Sequence, residues 1–370
     1  MKPQPKRRPI DRTSTRAFRA PGRVNLIGGQ VDYHEGWVVS LAIDRDVSVR
    51  ATARDDGRVV ARSSDFDDVV DVAADGSDDP PAVRPIWGRA IAGVTRVLAE
   101  LGRPPVGADL DITSTVPVGA GLSSSAAFEV ACALALADAA GFGLDGTPLA
   151  LAAQRAEHVA TGVPCGVQDQ MTSVHGRADH AVFLDCRTLE IEHLRVPPTL
   201  CVLVVHTGVA RTLEGTPYAQ RRAESEAVAT DLGLRVLRDA TLEQVRDLPR
   251  GRHAVTEMTR VRAFADALRT GDLGALGALM SASHASSRDD MEVSIPELDA
   301  LVECLVGAGA FGARLTGAGF GGCVVAIGPA DAAGDIAAAA TRSYRGRTGL
   351  QPTAWVVRGA DGAETIAGAI

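Results

Sequence analysis

The run Gly119-Ala120-Gly121-Leu122-Ser123-Ser124-Ser125 is the first stretch whose residue types and spacing could do chemistry. Glycines let a backbone come close to a ligand. Serines at a helix start cap it and leave N–H groups and the positive dipole end facing an anion such as phosphate. No lysine follows the glycines as G-x-x-x-x-G-K-[ST] requires, so this is not a Walker loop. An ordinary capped helix after a turn has the same pattern, and these residues alone do not separate the two. Other candidates are polar residues beside glycines. Arg23 follows Pro21-Gly22, Asp32 lies beyond Gly28-Gly29, and Asp169 sits among apolar neighbours in the glycine-punctuated segment 162–170. Loop-borne polar groups reach ligands, although a surface ion pair is the commoner fate of an Arg or Asp. Glu157 lies near the C-terminal end of a helical pattern, where the dipole disfavours a carboxylate, and a cation would compensate it. A solvent-exposed glutamate is the plainer alternative.

The elements that must position these groups follow from periodicity. Alternating Leu110, Ile112 and Val116 predict a strand over 108–114, leading through Pro117 into the glycines, and an apolar run without breakers predicts a helix over 126–139. A second helix is expected over 149–161 and an earlier one from Trp87. Strands are expected over the alternating stretch 37–49, as a hairpin within 58–72, and at 180–184, 189–194 and 199–206. Arg16–Ala20 reads as a lead-in to a Pro-Gly turn. From Pro217 onward helical spacing dominates, at 218–232, 255–268, 273–286 and 297–306. A second glycine turn, Gly317 to Gly322, then joins 313–315 to an apolar strand at 323–327, with an Ala-rich helix over 331–343 and a closing strand over 352–357.

Composition narrows the class. The 370 residues suffice for two domains with cores, and 46% hydrophobic with 23% charged residues is a soluble globular balance. A net charge of −8 argues against nucleic acid as a partner, the Lys6-Arg7-Arg8 cluster reading as a solvated end. No run reaches 18 apolar residues and the N-terminus carries no apolar h-region, so neither a membrane span nor a secretory signal is expected. The six cysteines (132, 165, 186, 201, 304 and 323) are scattered without C-x-x-C spacing. They read as small buried hydrophobes in a reducing cytoplasm.

Three glycine-bearing segments, at about 21–36, 116–127 and 316–323, resemble the signature motifs of the GHMP small-molecule kinases. PGRVNLIGGQVDY resembles the galactokinase signature within that superfamily. AEHVATGVPCGVQDQM, DCRTLE, Tyr218-Ala219-Gln220-Arg221-Arg222, ASHASSRDDMEVSIPELDALV and RLTGAGFGGCVV continue the likeness over about residues 17–358. The resemblance implies an α+β, two-lobed GHMP kinase fold with its active site in the cleft. A tail (1–16) would precede an N-terminal mixed-sheet ATP-binding domain (17–198) and a C-terminal ferredoxin-like α/β domain (199–370). It implies ATP as phosphoryl donor, wrapped by Val118, Gly119, Ala120, Gly121, Leu122, Ser123, Ser124 and Ser125, and Mg²⁺ held by Ser125 and Glu157. Asp169 matches the carboxylate beside the sugar's anomeric hydroxyl, as orienting acceptor and eventual base. Arg23 matches its partner, stabilising charge near the transferred group. Asp32, Gly166 and Tyr218 match positions contacting the sugar. A cytoplasmic monomer or weak oligomer is expected.

One departure bears on the acceptor. Galactokinases usually carry Glu-His where this chain has Gly29-Gln30, positions that face C6 of galactose. A site built around a hydroxyl discriminates strongly, so losing that carboxylate matters. The pair resembles plant L-arabinokinases, which leaves L-arabinose or a C6-altered sugar such as galacturonate as alternatives to galactose. A non-catalytic sugar sensor is a further alternative, disfavoured by the unbroken Ser123-Ser124-Ser125-Ala126-Ala127 run with Glu157, Asp169 and Arg23 all present. A kinase for a non-sugar alcohol is disfavoured by Asp32-Tyr33 and RDDMEVS.

Overall fold

The computed structural model describes residues 14–117, 119–162, 164–209 and 218–366. Val118 and residues 1–13 of the expected tail lie outside them. The chain opens with β1 (Arg16–Ile27), a 3-10 turn at Asp32–His34 and the long β2 (Trp37–Arg54). The hairpin β3 (Arg58–Ser63) and β4 (Phe66–Ala73), helix α1 (Gly88–Glu100) and β5 (Gly107–Ser114) follow. Helices α2 (Ser124–Ala139), α3 (Gly146–Thr161) and α4 (Gln168–His175) come next, then β6 (His180–Asp185), β7 (Ile191–Arg195) and β8 (Leu200–His206). The helical stretch comprises α5 (Tyr218–Asp231), α6 (Leu242–Val245), α7 (Pro249–Thr270), α8 (Leu273–Asp289) and α9 (Pro296–Gly307). The chain closes with β9 (Gly312–Leu315), β10 (Cys323–Pro329), α10 (Ala333–Thr348), β11 (Thr353–Val357) and β12 (Glu364–Ile366).

Two sheets carry these elements. The larger is mixed, in the order β12-β1-β2-β5-β3-β4, with β6 and β7 attached to the first part of β2; only β3 and β5 run parallel among its described pairs. Alternation places Ala108, Leu110 and Ile112 of β5 in the core. Helix α2 is apolar all round, as a helix buried on every side must be. Its alanines (126, 127, 131, 133, 135) let it nestle against β1, β2, α1 and α3. The second sheet has the antiparallel order β11-β8-β10-β9. With α9 and α10 as its connecting helices this is the β-α-β-β-α-β ferredoxin-like arrangement. Leu301, Leu305, Ile336 and Tyr344 of those helices fill its core with Leu203, Val205 and Val324.

Three expectations change. Pro21-Gly22 is no turn: β1 runs through it, with a register shift between Pro21 and Arg23 against β2, so Arg23 projects from a strand. Gly22 permits this because a Cβ there would lie 2.8 Å from the Leu122 carbonyl oxygen. Asp169 stands in the first turn of α4, not in a loop. The expected closing strand is not the last, since β12 returns to pair with β1. The chain changes sheet between β7 and β8, close to residue 198, but that return sends its end back to the first sheet. Among the described residues no helix is long and apolar enough to cross a membrane.

Candidate functional site

The three glycine segments converge. Leu122 of the second accepts from the Arg23 backbone N–H (3.0 Å). The third meets the first where Thr316 Oγ1 donates to the Asn25 carbonyl (3.1 Å) and Gln30 Nε2 to the Ala318 carbonyl (3.4 Å). A Cβ on Gly322 would lie 3.7 Å from the Ala120 carbonyl, so the third also borders the second. Each segment holds at least one non-glycine residue in the left-handed region: Gln30 (φ 62°) and Glu35 (φ 59°) in the first, Ser123 (φ 57°) in the second and Phe320 (φ 59°) in the third. Such strained residues persist only where their surroundings over-determine them, and they cluster at functional sites.

Arg23 and Asp169 meet at the centre. Arg23 is nearly buried (6% exposed) and reaches Asp169 Oδ1 through Nε (2.8 Å) and Nη2 (2.6 Å), while Nη1 donates to the Gly121 carbonyl (2.9 Å). Ser123 Oγ donates to the other carboxylate oxygen. The serines therefore do not cap α2 as the sequence suggested. Ser123 occupies the N-cap position without a side-chain cap bond, and Ser125 Oγ donates instead to Glu157 Oε1 (3.2 Å). Both hydroxyls turn to carboxylates because charge-assisted hydrogen bonds outweigh neutral ones. The start of α2, Ser124 included, receives no side-chain cap from Ser123. Gly119, Ala120, Gly121 and Leu122 form the turn before it; Val118 lies outside the described residues.

Glu157 is half-buried near the end of α3, as its sequence position indicated. It accepts from Gln170 Nε2 (2.6 Å) and the Cys165 thiol (3.3 Å), and among the described residues forms no salt bridge. Burial, then the Asp169 charge, raises its carboxyl above the ordinary value. Glu129, a lone acid in the apolar face of α2, is buried (1% exposed) with one carboxylate oxygen unpartnered. Burial, then Glu157 and Asp169, pushes it well above the usual carboxylate range. The sequence reading passed over Glu129, although one acid in the run AAFEVACALALA was a visible signal.

The sugar-side candidates also assemble. A Cβ on Gly166 would overlap the Asp32 carboxylate, which explains the glycine. Asp32 is raised to about 6, by burial first and Asp169 second, with Arg222 and Arg23 opposing. Tyr218 lies within the field of Asp32, and burial raises its phenol. Arg222 stacks over the Tyr33 ring (4.7 Å). Tyr33 OH donates to Gln30 Oε1 (3.3 Å). The space beside Gly29 is filled: a Cβ there would clash with the buried guanidinium of Arg314. An aromatic group the sequence did not mark stands beside α2: Phe66 stacks on Trp87 (5.5 Å), which meets Phe128 edge-on (6.3 Å).

This fold and its three converging loops define a class. The chain matches the family models for the GHMP kinases N terminal domain over residues 89–177 and the GHMP kinases C terminal over 264–346. The Galactokinase galactose-binding signature matches residues 10–52, which span Gly29-Gln30. The chain is 42% identical over 361 residues to the galactokinase of Roseiflexus sp. (strain RS-1), covering 93% of this chain and 91% of that protein. The crystal structure of Lactococcus lactis galactokinase complexed with galactose superposes with a TM-score of 0.90 at 30% identity, covering 96% of both chains. Methanococcus jannaschii mevalonate kinase shares the fold, with a TM-score of 0.68 at 17% identity over 94% of this chain and 99% of its own. The chain belongs to the galactokinase family of the GHMP kinases.

Proposed function

We propose that this protein transfers the γ-phosphoryl group of ATP to the C1 hydroxyl of galactose. The observation that carries this is the Asp169 carboxylate, gripped by Arg23 on one oxygen and Ser123 on the other, where the phosphate-loop candidate meets the Asp32–Gly166 pair. Phosphoryl transfer passes through a loose transition state and asks mainly for positioning and charge stabilisation. Asp169 orients the C1 hydroxyl and accepts its proton. Arg23 offsets the charge that builds between the hydroxyl oxygen and the transferred group. The 119–125 turn and the start of α2 bind the phosphates, and the Phe66–Trp87–Phe128 group supplies an apolar face for the base. Asp32, Gln30 and Tyr218 line the sugar, with Gly166 leaving room for the Asp32 carboxylate.

The donor set fits Mg²⁺. Ser125 and Glu157 present hard oxygens, and among the described residues no cationic side chain pairs with Glu157. Among the described residues no cluster of three His, Cys, Asp or Glu side chains could hold a metal alone. Two protein ligands completed by nucleotide phosphates are the usual magnesium arrangement. When bound, the ion would neutralise charge on the phosphates. Cysteines scattered without C-x-x-C spacing support a reducing cytoplasm, and we extend the reading to two lobes divided near residue 198 and to a monomer or weak oligomer. Galactose is favoured over L-arabinose and galacturonate because the galactose-binding signature spans the departure and Arg314 fills the space beside Gly29.

Coupled ADP release over galactose, L-arabinose and galacturonate tests the sugar, with galactose expected to give the highest kcat/KM. Asp169→Asn is expected to lower kcat by about 10²–10⁴-fold, the contribution of a positioned proton acceptor, while ATP still binds in calorimetry. A variant turning over at the wild-type rate overturns the assignment.

A further inference from the structure

The backbone at Gly28–Gln30 is gripped by residues more than 220 positions away, none of them in a glycine segment's turn. Glu257 Oε1 accepts from the N–H of Gly28 (2.9 Å), the N–H of Gly29 (3.2 Å) and Ser283 Oγ (2.6 Å). His253 lies one turn earlier on α7. Its Nε2 is 3.0 Å from the Gly29 carbonyl oxygen, and its other ring nitrogen is hydrogen-bonded to Ser286 Oγ (2.9 Å). Residues four apart share a helix face. One face of α7 therefore offers a donor and an acceptor to consecutive backbone groups, as a strand would.

Arg314 of β9 closes the grip. Its guanidinium lies against Gly29, its Nη2 stands 4.0 Å from Glu257 Oε1, and Nη1 donates to Asn25 Oδ1 (2.6 Å). Asn25 Nδ2 passes the contact to Gln168 Oε1 (3.0 Å), the residue before Asp169. Arg260 holds the second Glu257 oxygen (2.8 Å). His253, Glu257, Ser283 and Arg314 are fully buried, so none can touch a substrate directly. Burial alone would raise the Glu257 carboxyl, yet Arg314 and Arg260 bring it down to about 2, and it stays ionised.

Such a network is a poor device for stability alone. Apolar residues of similar volume often serve as well or better, whereas removing one partner leaves an uncompensated charge. What it supplies beyond stability is a fixed geometry at the segment bearing Gln30, which sits in the left-handed region and needs its neighbours held. We propose that His253 and Glu257, with Arg314, are positioning residues that set the backbone at Gly28–Gln30 and through Gln30 and Asp32 determine affinity for the sugar. This rests on the reading of that segment as the sugar side of a galactokinase site.

The test is steady-state kinetics on galactose and ATP for His253→Leu, His253→Gln and Glu257→Gln. Glutamine keeps a donor near the position of Nε2; leucine removes it. His253→Leu is expected to raise the KM for galactose about tenfold, the loss of one buried hydrogen bond to the site's frame, with the KM for ATP within about twofold. His253→Gln is expected to recover most of that loss, and Glu257→Gln to show the same split more strongly. Equal changes in both KM values, or an unmoved galactose KM with a lowered melting temperature, overturns the clamp and leaves a structural network. Because the histidine pair perturbs no charge, this holds even if Glu257→Gln fails to fold. A wild-type chain inert on every aldose overturns the functional reading and the clamp with it, whereas an active wild type with unmoved variants overturns the clamp alone.

Discussion

The donor and acceptor sides of the site are built differently. The proposed phosphate-binding part of the donor side is one continuous stretch, the turn at 119–123 running into α2, with Ser125 tied to Glu157 and Ser123 to Asp169. The acceptor side is assembled from β1, the Asp32–His34 turn, the segment before α4, α5, α7 and β9, and buried charges hold it in register. A loop presenting N–H groups to phosphates needs little outside itself, because helix dipole and backbone do the binding. Sugar hydroxyls demand several side-chain oxygens at fixed separations, and no short segment offers those. The donor side should therefore tolerate change in its supports, whereas small changes on the acceptor side should be expensive.

The largest effect separating the two is expected at Gly166. A methyl group there would fall on the Asp32 carboxylate and drive it aside. A displacement of about 1 Å at a positioning group costs on the order of 10² in rate, so Gly166→Ala should lower kcat/KM for galactose by about that factor. The KM for ATP should stay near wild type. If instead both substrates weaken together, Gly166 belongs to the general packing and the contrast between the sides fails there.

A smaller effect is expected on the donor side at Glu157. Glu157→Gln keeps the shape and removes the charge, so half-saturating Mg²⁺ should rise by about 10–100-fold while the galactose KM holds. Stability should move the other way. Burial and Asp169 disfavour the ionised Glu157, so the neutral amide should leave the melting temperature without metal unchanged or raised. A variant with wild-type magnesium dependence would remove Glu157 from the proposed metal set.

The same contrast decides what could be read in the chain. The strand–glycine–helix pattern at 108–139 was visible because its elements are sequential and its alanines leave no doubt about burial. The ferredoxin-like half was implied by the family likeness, and the strand order β11-β8-β10-β9 agrees with it. Pro21-Gly22 misled because a bulge carries β1 through residues that ordinarily end a strand, and only the crossing at Leu122 explains the glycine. The short β12 has three residues, too few for periodicity to register. Arg23 and Asp169 could be singled out by their glycine neighbours but paired only through a family likeness, for 146 residues separate them and no local pattern joins them. His253 and Glu257 left no signal, and Arg314, though it heads the block RLTGAGFGGCVV, is not marked there as a partner of the first segment; only the fold brings all three to Gly29. Gly29-Gln30 shows in sequence only the loss of a carboxylate facing C6, whereas in the fold a buried guanidinium fills the space beside Gly29, a fact no residue nearby in sequence announces.

The smallest effect is a pH dependence confined to the acceptor side. Asp32 titrates at about 6 in the folded chain against 3.8 for an ordinary aspartate, from burial and the nearby Asp169. An acceptor of sugar hydroxyls is most effective ionised, so kcat/KM for galactose should fall as pH drops through 6, approaching tenfold per unit below it. Stability runs in the opposite sense. The folded chain holds this proton more tightly than the unfolded one, so Asp32's contribution is complete below about 3.8 and is lost as pH rises through 6. Affinity for galactose and the part of stability due to Asp32 therefore trade against each other between pH 4 and 7, a conflict that bound sugar and its hydrogen bonds would relieve. Asp32→Asn separates the two effects, because the amide cannot titrate. Its galactose kcat/KM should be lower at pH 7.5 but flatter between pH 5 and 7, while the ATP dependence keeps the wild-type profile. If Asp32→Asn retains the full acid limb, the titrating group is elsewhere, and the acceptor side is not tuned by the burial that holds it together.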